Sequence, residues 1–324
     1  MRLLFRTGLP AYAMFAGLGF LALLPLLAEW VDNIFLIDLF MRLMILSIAA
    51  VGLNLILGYG GMVSFGHAAY LVIGAYAVGI PAYYEIYDGF TQIAIAILAS
   101  GIVALVTGAI ALRTKGVYFI MITMAFAQMV YFTFVSIEEY GADDGLTIDV
   151  RSEFAGLLDI EDNFTLYYFV LVSLIAVLGL VYRIVHSRFG MVISGAKGNE
   201  RRMQAIGFPT YRYRLVCYVI SGAICGYAGA LLGNFTNFIT PEMGDWVHSG
   251  ELIFMVVLGG AGSLFGPVLG TAVFILLEEY LSRLTQYWHF PFGAMLILVV
   301  IFTRGGIDGM FRWLGAKAGI GERS

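Results

Sequence analysis

Eight stretches of this chain run for about twenty residues or more without an Asp, Glu, Lys or Arg: 8–28, 43–84, 89–112, 116–137, 163–182, 215–241, 252–277 and 284–303. A helix of about twenty apolar residues rises about 30 Å, enough to cross the hydrocarbon of a bilayer. Charged residues make up only 12% of the 324, and the mean hydropathy is +0.89, which excludes an ordinary soluble domain. The chain therefore reads as an all-α polytopic membrane protein, one transmembrane domain over 1–324. The run 43–84 is twice the length of one span and must fold back once. The first run is long and lacks a small-residue cleavage site, so it reads as a retained span rather than a signal peptide.

The polar connections alternate in sign, which sets the expected orientation. Glu29–Asp38 and Glu85–Asp88 are acidic, Arg113–Lys115 is basic, 138–162 carries nine acids and one Arg, and 186–214 carries Arg188, Lys197, Arg201, Arg202, Arg212 and Arg214 against Glu200. Lys and Arg hold a loop in the cytoplasm, whereas acids contribute little to orientation. Arg2 and Arg6 put the N-terminus inside, and Arg304, Arg312, Lys317 and Arg323 put the C-terminus there too. Equal sides require an even number of crossings, so 246–283 must hold two passes, broken by glycines at 259, 260, 262, 266 and 270 and by Pro267. The expectation is about ten transmembrane helices, some short or re-entrant, with both termini cytoplasmic.

Two glycine-rich turns resemble one another. Gly60-Gly61-Met62-Val63-Ser64 and Gly259-Gly260-Ala261-Gly262-Ser263 share Gly-Gly-x-x-Ser, each followed within three residues by another Gly. Glycines there free the backbone beside a translocation path, so that Asn54, Gly60, Gly61, Ser64, His67, Gly259, Gly260 and Ser263 are candidate path residues; close helix packing is the competing reading. The scattered glycines at 222, 226, 229 and 233 read as packing. Asn54, Thr123, Gln128, Asn234 and Asn237 fit either a path lining or hydrogen-bonded glue between helices.

Carboxylates are nearly absent from the spans, which argues that the energy source for any transport lies outside this chain. His67 is expected to be hydrogen-bonded at a helix start rather than to relay protons. No phosphate-binding Gly-x-x-x-x-Gly-Lys-Ser/Thr loop occurs, and four separated histidines and two cysteines form no metal set or nucleophile–base pair, so no catalytic or metal residue is assigned. Cys217 and Cys225 read as small packing residues. The basic loop 186–214 carries a short helix of its own: Asn199 is placed to cap it, Met203 and Ile206 share a face, and Gly207 with Pro209 stops it. An apolar helix face shown to the cytoplasm needs a groove to receive it.

Taken together, Gly58–Ala75, Arg113–Tyr131, Gly141-Ala142-Asp143-Asp144-Gly145-Leu146, Gly195–Gly207 and Gly259–Gly270 resemble, in order, the LivM-type permease subunit of branched-chain amino acid ABC importers. That resemblance implies no enzymatic activity in this chain and no cofactor bound to it, with ATP held on partner subunits. The implied partners are a LivH-type permease, two cytoplasmic ATPase subunits, a periplasmic substrate-binding protein and membrane lipid, without nucleic acid. The location implied is the bacterial inner membrane. Residues Asn199, Glu200, Arg201, Arg202, Met203, Ala205, Ile206 and Gly207 fall where such importers carry their ATPase-coupling helix, although Glu-Arg-Arg-Met-Gln-Ala-Ile-Gly lacks the usual double alanine. Asp143 and Asp144 are candidates for binding-protein docking, within an acidic loop that is otherwise simply solvated. Permeases of urea or short amides are similar, and a self-sufficient carrier or channel for small neutral solutes is the alternative of another class.

Overall fold

A computed structural model describes residues 17–26, 34–154, 160–287, 289–302, 306, 307 and 309. The expectations for Arg2, Arg6, most of the 29–38 connection and the basic tail from Arg304 lie outside the described residues. The helices are α1 (Gly17–Leu26), α2 (Ile34–Asn54), α3 (His67–Tyr83), α4 (Gly89–Ala111), α5 (Val117–Val135), α6 (Asn163–Val185), α7 (Arg188–Ala205), α8 (Thr210–Thr236), α9 (Trp246–Gly259), α10 (Gly266–Leu284) and α11 (His289–Phe302). Five helical stretches, Phe35–Tyr59, Gly89–Ala111, Val117–Val135, Asn163–Val185 and Thr210–Thr236, are long and apolar enough to cross a membrane. The chain is a mostly helical, multi-pass membrane protein.

The double-length run folds back as expected, through a π turn (Leu55–Tyr59) and the glycine segment that follows it. The region 246–283 also divides into two helices, α9 ending at Gly259 and α10 opening at Gly266 with Pro267 in its first turn. At 1.5 Å per residue the fourteen residues of α9 rise only about 21 Å, less than a full hydrocarbon core.

Helix α8 is the hub and packs on α2, α3 and α4. Small residues let it approach closely, because a Cβ at Gly74 of α3 would lie 1.8 Å from the Gly226 carbonyl oxygen of α8. One at Gly229 would lie 1.9 Å from the Leu71 oxygen. The scattered glycines of α8 are packing residues, since van der Waals fit and not water exclusion binds helices in lipid. Cys217 and Cys225 are buried, with Sγ atoms turned to the Leu55 carbonyl of the π turn and the Ala49 carbonyl of α2. Helix α5 is at the other extreme: it buries the single stripe Phe119, Thr123 and Ala127 and exposes Tyr118, Met121, Met129 and Phe132.

Aspartate caps gather at one end of the bundle. Asp88, Asp162 and Asp245 accept backbone N–H groups at the starts of α4, α6 and α9, as short acceptors do for helix-end donors. This is also the end where the acidic loop is folded. Leu146–Thr147 (β1) pairs antiparallel with Phe238–Ile239 (β2), and Arg151 donates to Ile160 O, Glu161 O, Asn163 Oδ1 and Asn237 Oδ1. At the opposite, basic end α3, α5, α8 and α10 open on Gly66, Gly116, Pro209 and Phe265, none of which caps by its side chain, while α7 opens on Ser187, whose Oγ accepts the Gly190 N–H at 3.3 Å.

Candidate coupling and translocation site

The basic loop forms α7, which is two helices joined at a break. Asn199 leaves helical geometry at φ −157°, ψ 98°, and its Oδ1 accepts the Arg202 N–H at 3.0 Å, which is the expected cap. The short helix then stops at Gly207, whose φ of +97° favours glycine. Gly207 N–H donates to Gln204 O at 2.9 Å and Phe208 N–H to Met203 O at 3.1 Å, the paired bonds of a Schellman ending.

The faces of this helix divide its residues. Ile206 is 65% exposed, and Arg201, Arg202, Ala205 and Gly207 are exposed beside it. Met203, expected on the same face, instead turns back so that its sulfur lies 2.9 Å from the Cβ position of Gly195. Glu200 points inward, accepting from Lys115 Nζ at 2.5 Å and from Thr210 Oγ1 at 3.3 Å and pairing with Arg214 at 3.3 Å. It ties the short helix to the α4–α5 connection and to the start of α8. Burial works against ionisation of Glu200, but the Lys115 hydrogen bond and the Arg214 and Lys115 charges outweigh it and hold its carboxyl below the ordinary value. Glu200, Lys115 and Arg214 also border a cleft of about 230 Å³, whose apolar wall includes Met62, Val63 and Phe119.

The two glycine turns meet. A Cβ at Gly58 would lie 2.3 Å from Gly262 N, so only glycine allows this backbone-to-backbone contact. Asn54, fully buried at the end of α2, bridges them by donating Nδ2–H to Ser263 O at 2.7 Å and accepting the Gly262 N–H at 2.9 Å through Oδ1. Gly60, Gly259 and Gly260 are buried and Gly61 is exposed at φ +68°. Ser263 Oγ accepts the Gly266 N–H at 3.1 Å and so steadies the start of α10.

Ser64 belongs to a second, wholly buried network that joins α2, α3, α4 and α8. Ser221 Oγ gives its one proton to Gly52 O at 2.6 Å, so the 2.9 Å contact to His67 Nε2 is donated by the ring. With Nε2 carrying the proton, Nδ1 accepts from Ser64 Oγ at 3.0 Å, Tyr218 OH reaches Ser64 at 3.4 Å and Tyr70 OH donates to Tyr218 at 3.0 Å. The series ends at the Gly52 carbonyl, which has no proton to pass on, so this arrangement fastens helices and does not conduct. His67 is a hydrogen-bonded residue at a helix start, as expected. The polar residues left open by the sequence are likewise partnered: Thr123 accepts from Phe65 N, Gln128 donates to Asp245, Asn234 Oδ1 accepts from Ser152, and Asn237 Oδ1 accepts from Arg151. Asp143 and Asp144 stand exposed in a 3-10 turn between Gly141 and Gly145 at the acidic end.

Sequence reasoning did not single out Tyr70, Tyr218 and Ser221, which sit among apolar residues with no local pattern. It also missed Lys197, whose Nζ donates to Gly58 O at 2.6 Å. The only signal of the first three was polarity inside a span, and Lys197 stood only as one of several charges in the basic loop.

A multi-pass helical bundle with paired glycine turns and a short capped helix tied beside them is a build suited to a membrane permease. The chain belongs to the branched-chain amino acid transport system permease family, whose family model matches residues 35–300. It is 24% identical over 299 residues to the high-affinity branched-chain amino acid transport system permease protein LivM of Salmonella typhimurium, across 85% of this chain and 70% of that protein. Its identity to LivM of Escherichia coli K12 is 25% over the same length, with the same coverage. The permease protein LivH of Escherichia coli K12 is 25% identical over 284 residues, across 81% of this chain and 91% of LivH. No solved structure matches the chain.

Proposed function

We propose that this chain is the LivM-type permease subunit of an ATP-driven importer of branched-chain amino acids in the bacterial inner membrane. It pairs with a LivH-type permease, receives substrate from a periplasmic binding protein and is driven by two cytoplasmic ATPase subunits that hold the ATP. The chain itself binds no cofactor and catalyses no reaction. Ten crossings follow from α1 to α6, α8, α9, α10 and α11, with α7 on the cytoplasmic face together with both termini. The caps and loops sorted by charge support that orientation, because Asp caps gather at one end and the Lys115–Glu200–Arg214 cluster at the other.

The observation that carries the reading is the capped, glycine-stopped helix from Glu200 with Ile206 exposed, held against the bundle by Glu200. Its exposed face is the ATPase-docking surface, with Arg201, Arg202, Ala205 and Ile206 toward the partner. Alternating access then follows from movement of this helix against the bundle, and the paired glycine turns are the part of the path that must open.

The test is uptake of labelled leucine by proteoliposomes holding the four kinds of subunit, with and without internal ATP, beside an Ala205→Glu variant. Uptake that needs ATP and the binding protein, and is lost in the variant, is the expected result. Uptake that follows an imposed ion gradient without ATP would make the protein a secondary carrier, and transport of urea or acetamide in place of leucine would move it to the amide permeases.

A further inference from the structure

A single charged side chain of the basic loop joins the docking helix to the glycine turns. Lys197 lies two residues before the Asn199 break, on the last turn of the first half of α7. Its stem crosses the first glycine turn so closely that a Cβ at Gly61 would lie 2.9 Å from Lys197 Cγ. Its ammonium reaches Gly58 O at 2.6 Å. That carbonyl belongs to the last turn before the chain leaves helical geometry, and Met62 N–H, the donor it would meet in a continuing helix, is committed to Ile56 O at 2.9 Å. Gly58 in turn touches Gly262, and Asn54 bonds the second turn directly. A contiguous series therefore runs from the docking helix through Asn199 and Lys197 to Gly58, and from there to Gly262 and Ser263.

We propose that Lys197 is a positioning residue for transport, transmitting displacement of the docking helix to the two paired glycine turns. The proposal rests on the importer reading above. The Glu200 cluster fastens the docking helix to α8 and to the α4–α5 connection, but reaches neither glycine turn by a hydrogen bond of its own among the described residues. Lys197 does, through a charge-assisted bond to a carbonyl that the end of the helix has left open. Because the second turn is bound to the first through Asn54 and through the Gly58–Gly262 contact, a pull on Gly58 moves both.

The test uses the complete transporter in proteoliposomes, reading labelled leucine taken up per ATP hydrolysed, with Lys197→Met, Lys197→Arg and Gly61→Ala. Lys197→Met keeps the stem and removes the donor, so assembly with the ATPases and hydrolysis stimulated by the binding protein persist while leucine per ATP falls roughly ten-fold. Lys197→Arg restores most of the ratio, and Gly61→Ala, which drives a methyl against the Lys197 stem, reproduces the loss. An unchanged ratio in Lys197→Met, a parallel fall of hydrolysis and uptake, or failure to assemble would make the residue a packing or docking group and overturn the proposal. Wild-type assemblies without ATP-dependent leucine uptake would overturn the importer reading and this proposal with it.

Discussion

Glu200 illustrates how one side chain can hold an exposed helix in place without lying on its exposed face. In the sequence it falls within the candidate contact helix, yet its carboxylate turns inward to Lys115, Thr210 and Arg214. Lys115 is 70% exposed, so solvent screens that pair, and Glu200→Gln should cost only about 1 kcal/mol of local order. The measurement is amide hydrogen exchange over 199–207, expected to speed up while α8 stays protected. A carboxyl held below its unfolded-state value stabilises the folded arrangement at every pH above that value. It loses the contribution as pH falls through its depressed folded-state pKa. Protection of 199–207 should thus be flat above the ordinary Glu value of 4.5 and drop only in stronger acid; equal protection in the wild type and in Glu200→Gln would remove Glu200 from this role.

At the scale of elements, the short helix from Glu200 stands as a capped unit because both its ends are fixed by local chemistry. Gly207→Ala places a Cβ in the left-handed region and should weaken the ending by about 1 kcal/mol. If this helix receives an ATPase subunit, reduced co-purification of that subunit, with unchanged expression of the permease, is the outcome to look for. This helix was legible in the sequence because capping and termination act over a few residues: Asn199, Gly207 and Pro209 announce it. The placement of Met203 was not legible, since its turn toward Gly195 depends on the angle at the Asn199 break. Likewise Gly-Gly-x-x-Ser marked both membrane turns, while their contact through Asn54 joins residues some two hundred positions apart.

For the whole molecule, charge separates the two ends. The acidic end is a folded surface, organised by the short β1–β2 pairing and by Arg151, and it presents Asp143 and Asp144 on an ordered turn. If it receives a binding protein, Asp143→Asn with Asp144→Asn should slow association at low ionic strength, and the difference should vanish as salt is raised. Association kinetics with immobilised transporter decide it, and a difference that does not depend on salt would point to shape and not to charge.

The order of residues was enough to mark this chain as a helical membrane protein and to locate its helix breaks, its basic loops and the ends of the short helix from Glu200. Each of these follows from hydrocarbon thickness, the sign of flanking charge or backbone preferences of Gly, Pro and Asn, all of which act locally along the chain. Only the tertiary structure decided what the polar residues do. Asn54, His67, Asn234 and Lys197 carry the same letters whether they line a path or fasten helices, and the choice depends on which distant donor or acceptor the packing of α8 against α2 and α3, and of α7 beneath them, brings within hydrogen-bond reach.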